Sequence, residues 1–358
     1  MACFQAGTSQ VALRVASMSA TPGAGVRRRL PGHACPTAPA DRREDMTGFR
    51  RLAALLLAML ALLAGVTACA TRPRSDAPAP ADDPAAAFPV KVELPGAPPV
   101  TLPQQPKRII SLSPTATETL YAIGAGDQVI AVDQYSNFPA QAPRTALTGF
   151  TADAAAVGAH TPDLVIAPDN AAKLAEGLKV VSVPTLLTPS AATLEDAYKQ
   201  IEVLGQATGH TKQAAQLVGR MRSQIDEIVR NTPRPPQPLS YFHEVSPDYY
   251  TATSQSFVGS VYGLFGLHNI ADPAGGPFPQ LSEEHVVQAN PNLIFVADTK
   301  CCQVNAAAVA ARPGWHTLDA VQHGRIIELD DDIAGRWGPR VVDLVRAIGD
   351  SVAKAQHG

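Results

Sequence analysis

TKQAAQLVGRMRSQIDEIVRN, residues 211–231, reads as one helix. Leu217, Met221, Ile225 and Ile228 recur at spacings of four, four and three, which keeps them on one face. Thr211 follows the Gly209 break as an N-cap, and the proline-rich segment 232–238 ends the helix sharply. At about 1.5 Å per residue the helix spans roughly 30 Å, the width of a small domain. An alternating βα pattern precedes it and another follows. The expected fold class is therefore α/β, with two similar βα lobes joined by one long rigid helix and a ligand cleft between the lobes.

Working upstream, 108–112 reads as a short apolar strand. Ser113-Pro114-Thr115 then turns the chain, and Thr115 or Thr117 caps a helix through Ile123 with Glu118 in its first turn. The next strand covers 129–132. Gly124-Ala125-Gly126 imitates a dinucleotide loop, but it lacks a third glycine and lies between a helix and a strand, so it reads as a helix C-cap. Asp133-Gln134-Tyr135-Ser136-Asn137-Phe138-Pro139 follows a strand's C-terminal end, the edge of an open parallel sheet where ligands bind. Lobe one is completed by a helix over 152–160, strands over 162–167 and 180–183, and helices near 173–178 and over 193–208. Downstream the grammar repeats, with strands at 239–243, 290–297 and 325–329 and helices at 256–265, 282–288 and 339–354. His160-Thr-Pro-Asp-Leu-Val-Ile-Ala167 is echoed by Asn290-Pro-Asn-Leu-Ile-Phe-Val-Ala297, which supports two similarly built lobes.

The N-terminus is of another kind. The chain has 358 residues, room for two ordinary domains. Residues 1–45 show no apolar period and read as a start-site artefact or a disordered extension. Met46 opens a signal segment over 46–68, with Arg50 and Arg51 before an apolar run that is too short for a comfortable membrane span. Val66-Thr67-Ala68-Cys69 resembles the lipobox of bacterial lipoproteins, which implies lipidation at Cys69 and an extracytoplasmic, membrane-anchored protein. The alternative is an ordinary signal peptide with an incidental cysteine. Residues 69–105, rich in proline and alanine, read as a tether. The remaining boundaries are 106–208 for the N-terminal lobe, 209–232 for the linking helix and 238–356 for the C-terminal lobe. Net charge is −3 with no long basic run, which argues against a nucleic-acid partner. Of five cysteines, only Cys301 and Cys302 fall in the lobes. They read as a loop disulfide or as two thiols without chemistry, since one adjacent pair is a weak zinc signal.

Taken together, Arg108-Ile-Ile-Ser-Leu-Ser-Pro-Thr-Ala-Thr-Glu118, Tyr135-Ser-Asn-Phe-Pro139, Pro162-Asp-Leu-Val-Ile166 and Arg336-Trp-Gly-Pro-Arg340 resemble the helical-backbone substrate-binding proteins of ABC importers. That family serves cobalamin, ferric siderophores and haem. The resemblance covers nearly all of 106–356 and is strongest to the cobalamin-binding branch. It implies a cleft lined by Tyr135, Phe150, Tyr249 or Tyr250, Phe278, Asp332, Arg336 and Trp337. Aromatic faces would bury a corrin or porphyrin disc, with Arg336 as a forked donor and Asp332 as an acceptor. The rival reading makes the aromatics core and Asp332–Arg336 a surface pair. Docking to a permease is implied through one acidic residue per lobe. Glu284, with Glu283 beside it, matches in lobe two. In lobe one the family's glutamate is replaced by Ala155, and Asp153 is either its substitute or a helix N-cap.

No catalytic constellation is present: there is no Gly-x-Ser-x-Gly elbow and no His-Glu-x-x-His. The nine histidines lack metal spacing, although His243, His268 and His285 stay open as contacts to haem or iron. Asp330-Asp331-Asp332 lacks the glycine and distal glutamate of a calcium loop and reads as a polar strand end. The leading expectation is a non-enzymatic, monomeric, lipid-anchored component that captures cobalamin for a permease with a cytoplasmic ATPase. It needs no cofactor or metal of its own, the corrinoid or iron chelate being cargo. A ferric-siderophore or haem binder is the alternative. From another class comes a surface haem-capture or scaffolding lipoprotein without a permease. The rigid link also implies little lobe motion on binding.

Overall fold

The computed structural model describes residues 88–356. Expectations for the signal segment, Cys69 and the start of the tether lie outside these residues. Where the tether was expected to continue, the chain is already folded. β1 (Val90–Val92) pairs antiparallel with β2 (Val100–Leu102). The alternation in Val90-Lys-Val-Glu-Leu94 buries Val92 and Leu94 together with Leu102 in the core. Residues 90–102 therefore belong to the folded lobe, although the expected tether included them.

Lobe one runs β3 (Ile109–Ser111), α1 (Pro114–Ala122), β4 (Val129–Val132), α2 (Ala154–Gly158), β5 (Leu164–Pro168), α3 (Ala172–Val180), β6 (Thr185–Thr188) and α4 (Leu194–Thr208). α5 (Thr211–Asn231) follows. Lobe two runs β7 (Ser240–Glu244), α6 (Phe257–Gly263), β8 (His268–Asn269), α7 (Glu283–Ala289), β9 (Leu293–Val296), α8 (Ala306–Ala310), α9 (Asp319–Gln322), β10 (Ile326–Glu328), α10 (Asp331–Ala334) and α11 (Val341–Ala355). Both sheets are parallel, with orders β4-β3-β5-β6 and β8-β7-β9-β10. Counted from each lobe's first strand, both read 2-1-3-4. The echo around Pro162 and Pro291 is thus a repeat of topology, since each proline precedes its lobe's third strand.

Side chains on the strands alternate between two apolar layers. In β9, Leu293 and Phe295 face the large core shared by the lobes, while Ile294 and Val296 face a smaller one. In β5, Leu164 and Ile166 face the shared core, and Val165 and Ala167 face lobe one's outer layer. The shared core also takes the inner faces of α4, α5 and α11, through residues such as Ile201, Met221 and Ile348. α5 buries Ala214, Leu217, Val218, Met221 and Ile225. Its helix starts at Thr211 itself, so His210 is the N-cap and Thr211 does not cap it. Likewise Ser113, ahead of Pro114, caps α1 by accepting from Ala116 N, in place of Thr115 or Thr117.

One expected strand is displaced. The run 180–183 was read as a strand, but α3 continues through Val180, which is 84% exposed. Ser182 then turns the chain at φ +59, and the parallel partner of β5 begins at Thr185. Pro184, which has no N–H to give the ladder, stands between the two.

Candidate functional site

In a 2-1-3 strand order the crevice opens at the carboxyl ends of the first and third strands. In lobe one these are β3 and β5, and the loop bearing Phe150 lies across them. A Cβ on Gly149 would come within 2.4 Å of Leu112 O and 3.1 Å of Pro168 Cδ, so only glycine allows that approach. Phe150 is 55% exposed there, and its ring meets Tyr135 edge-on at 6.5 Å. Tyr135 is 43% exposed. Phe138, absent from the expected lining, is 44% exposed and lies under the guanidinium of Arg340 at 4.3 Å. The signal for it was in the quoted Tyr135–Pro139 motif, where an aromatic ring precedes a proline in an otherwise polar loop.

The stem of this loop is held from below. Asp133 is buried and accepts from Ser136 N at 2.9 Å. The Ser136 hydroxyl is 2.9 Å from that of Thr117, which donates to Ser111 Oγ. Burial pushes the Asp133 carboxyl above its ordinary range, against hydrogen bonds from Ser136 that pull it down.

Arg336 is placed differently from its expected role as a fork aimed at ligand. It is buried, and its four terminal N–H groups go to protein acceptors. Nη1 donates to Glu118 Oε1 at 2.7 Å and Asn137 Oδ1 at 3.0 Å, and Nη2 to Tyr135 O at 3.0 Å and Asp332 Oδ1 at 2.5 Å. Asp332 in turn accepts from Asn137 Nδ2 at 2.9 Å and Lys300 Nζ at 2.8 Å. Burial opposes the charge on Asp332, but these donors hold its carboxyl below the usual range. Asp332 and Arg336 thus form the seam between lobes, and neither the ligand fork nor the surface pair describes them. Trp337 belongs to the same seam. Its indole N–H donates to Gln200 Oε1 at 2.9 Å, and its ring packs on Phe257 at 6.3 Å within the shared core.

In lobe two the corresponding edge is formed by β7 and β9. Tyr249 has φ +67 and stacks on the buried Trp315 at 6.0 Å, with Arg312 4.7 Å above the Trp315 ring. Arg312 grips the fully buried Glu244 with both terminal nitrogens, at 2.5 and 2.6 Å. Tyr250 is half-buried and bridges Gln280, and Phe278 packs partly buried against the shared core. The structure therefore gathers Tyr135 and Phe150 at lobe one's edge and Tyr249 and Tyr250 on lobe two's β7 loop. Two surface cavities of about 420 and 360 Å³ lie along α5 and contain none of these residues.

The acids expected at the permease face occupy matching places, the N-termini of the helices before each third strand. Asp153 caps α2 by accepting from Ala155 N at 3.2 Å, and it is exposed. Glu283 and Glu284 open α7, and Glu284 is exposed, its carboxyl held low by a backbone N–H and by Ser282. His243 is buried against the Tyr262 hydroxyl at 2.9 Å, and burial pulls its imidazole down to about 4, so it is neutral at ordinary pH. His285 pairs with Ile270 O at 3.0 Å, whereas His268 is exposed on β8. Cys301 and Cys302 are both exposed, with their Sγ atoms 2.7 Å apart.

Two βα lobes of one topology, sharing a core across a long helix and facing each other over an aromatic rim, form a binding architecture. A model of the periplasmic binding protein family matches residues 109–333. The chain belongs to that family. An uncharacterized ABC transporter substrate-binding lipoprotein, YvrC of Bacillus subtilis, is 32% identical over 274 residues, 74% of this chain and 86% of that protein. A cobalamin-binding protein of Halobacterium salinarum is 27% identical over 304 residues, 82% of each chain. Among solved structures, the periplasmic vitamin B12 binding protein BtuF of Vibrio cholerae superposes with a TM-score of 0.60 at 28% identity, covering 71% of this chain and 99% of that one. The family's members are extracytoplasmic binding proteins of importers and not enzymes.

Proposed function

We propose that this protein is a lipid-anchored, monomeric component of an ABC importer that captures a corrinoid and delivers it to a membrane permease. The observation that carries the reading is the set of three half-exposed rings, Tyr135, Phe138 and Phe150, on one rim of lobe one. Broad apolar discs are buried on such faces. The charges around the rim favour a neutral, amide-edged disc over a carboxylate-edged porphyrin or an anionic siderophore. Arg336 and Arg340 are paired with Glu118, and Lys300 with Asp330 and Asp332. An anionic ligand would have to compete with these carboxylates for each cation, whereas a neutral, amide-edged disc needs no free cation. The names of the relatives in Halobacterium and Vibrio point the same way. Tyr249, Tyr250 and Phe278 would close on the disc from lobe two. Asp153 in lobe one and Glu283 and Glu284 in lobe two would meet basic residues of the permease, and Cys69 would carry the lipid.

Equilibrium dialysis of the full-length protein against cyanocobalamin, haemin and a ferric hydroxamate tests this reading. Retention of cyanocobalamin alone is expected. Retention of haemin or the hydroxamate instead would move the cargo to an iron chelate, and retention of none would favour the scaffolding lipoprotein.

A further inference from the structure

We propose that Glu118 is a positioning residue for the ligand face, holding two arginines of lobe two that in turn fix Tyr135 and Phe138. The inference deepens the cleft reading and rests on it for the identity of the ligand. Glu118 lies on α1 with its side chain 1% exposed. Its Oε1 accepts from Arg336 Nη1 at 2.7 Å and from Arg340 Nη2 at 2.5 Å, and its Oε2 accepts from Arg340 Nε at 3.0 Å. Both arginines then touch the aromatic loop. Arg336 donates to Tyr135 O and Asn137 Oδ1, each at 3.0 Å. Arg340 lays its guanidinium over the Phe138 ring at 4.3 Å. One buried carboxylate thus sets the backbone beneath one exposed ring and the cation behind another. Gly338 lets the arginine-bearing segment approach this closely. A Cβ there would stand 3.3 Å from Glu118 Oε2 and 3.5 Å from Thr115 O.

The charge balance gives Glu118 its leverage. Without its carboxylate, two guanidinium groups would face each other with Asp332 as the nearest counter-charge of Arg336. Like charges in a half-dry seam repel and seek water. Arg340 is the more exposed of the two, so it would leave, and the Phe138 ring would lose its backing. A purely structural glutamate would loosen the whole shared core, whereas a positioning glutamate loosens the loop it governs.

Glu118→Gln in the full-length protein separates these cases, because it keeps shape and removes charge. Hydrogen exchange is followed by mass spectrometry on the segment 133–142 and on β5, without ligand. The expected result is exchange roughly tenfold or more faster in 133–142, with β5 unchanged, since local opening follows local support. Cyanocobalamin binding should weaken by about tenfold, the scale of one well-placed cation–ring and aromatic contact. Glu118→Asp should recover part of both effects. Arg340→Gln, which leaves the Glu118–Arg336 pair intact, is the second variant should Glu118→Gln not fold, and it should also free 133–142. Unchanged exchange in 133–142, or equal acceleration in β5, would overturn the inference. If the unaltered protein binds no corrinoid, the cargo reading fails while the exchange result still decides the role of Glu118.

Discussion

Asp298 carries the sharpest consequence at the scale of single residues. It follows β9 at lobe two's crevice edge and is fully buried, and no other described residue donates a hydrogen bond to its carboxylate oxygens. Burial first, then the neighbouring Glu244, pushes its carboxyl up to about 7, while its own backbone N–H and then Arg312 pull it down and Asp331 adds to the rise. A folded-state value above the unfolded one means that the folded protein binds the proton more tightly. The stabilising contribution is therefore complete below about pH 4 and is lost as pH rises through about 7. Asp298→Asn should remove that loss. Its stability relative to the unaltered protein should rise between pH 4 and pH 8 by up to a few kcal/mol, on the order that a shift of this size implies. Urea midpoints at the two pH values check this, and a constant difference would contradict it. Comparing variant with parent cancels His243, which acts in the opposite sense because its low value costs stability as pH falls. At this scale the sequence revealed residue types better than partners. Arg336 was picked out by its motif, but its carboxylate, Glu118, lies 218 positions away and looked like an ordinary first-turn acid. A pair so distant in the chain leaves no periodic signal.

Among the elements, α4 and α5 decide how the lobes are joined. They cross where Gly205 faces Ala214, so closely that a Cβ on Gly205 would stand 2.4 Å from the Ala214 Cβ. Gly205→Ala should therefore destabilise the protein by roughly 1–3 kcal/mol, overpacking outweighing the gain in helix propensity. The check is thermal unfolding, and a stabilised variant would mean that the helices separate without cost. Elements with strong periodicity were readable from sequence. α5 matches the quoted stretch residue for residue, because one apolar stripe and a proline-rich stop define it. Elements defined by partners were not readable. β6 has the short, weakly apolar sequence Thr-Leu-Leu-Thr, and the more apolar Val180-Val181 just before it drew the strand assignment. The β1–β2 hairpin was hidden in a proline-rich composition, although it buries Val92, Leu94 and Leu102.

For the whole molecule, one apolar core runs through both lobes and the three helices α4, α5 and α11. The Glu118–Arg336–Arg340 and Gln200–Trp337 contacts tie the lobes again nearer the crevice. Separating the lobes would expose this core and break buried ion pairs, so hinge closure of the kind seen across flexible crossovers is disfavoured. Small-angle scattering should give the same radius of gyration with and without saturating ligand. A clear decrease on binding would show that the seam opens in the free protein. The two-lobed plan was legible because both halves repeat one order of strands and turns, whereas the seam was not, because it is built from long-range contacts.

The proposed corrinoid would sit on the aromatic rim of this binding protein. The most direct test is intrinsic fluorescence of the full-length protein titrated with cyanocobalamin, alone and in competition with haemin. Trp315 and Trp337, the two tryptophans of the chain, lie in lobe two's core and in the inter-lobe seam and would report energy transfer to a bound corrin. Corrin capture at this rim predicts saturable, one-to-one quenching that survives excess haemin and weakens in Phe138→Ala. Quenching that haemin abolishes, or that Phe138→Ala leaves untouched, would contradict it.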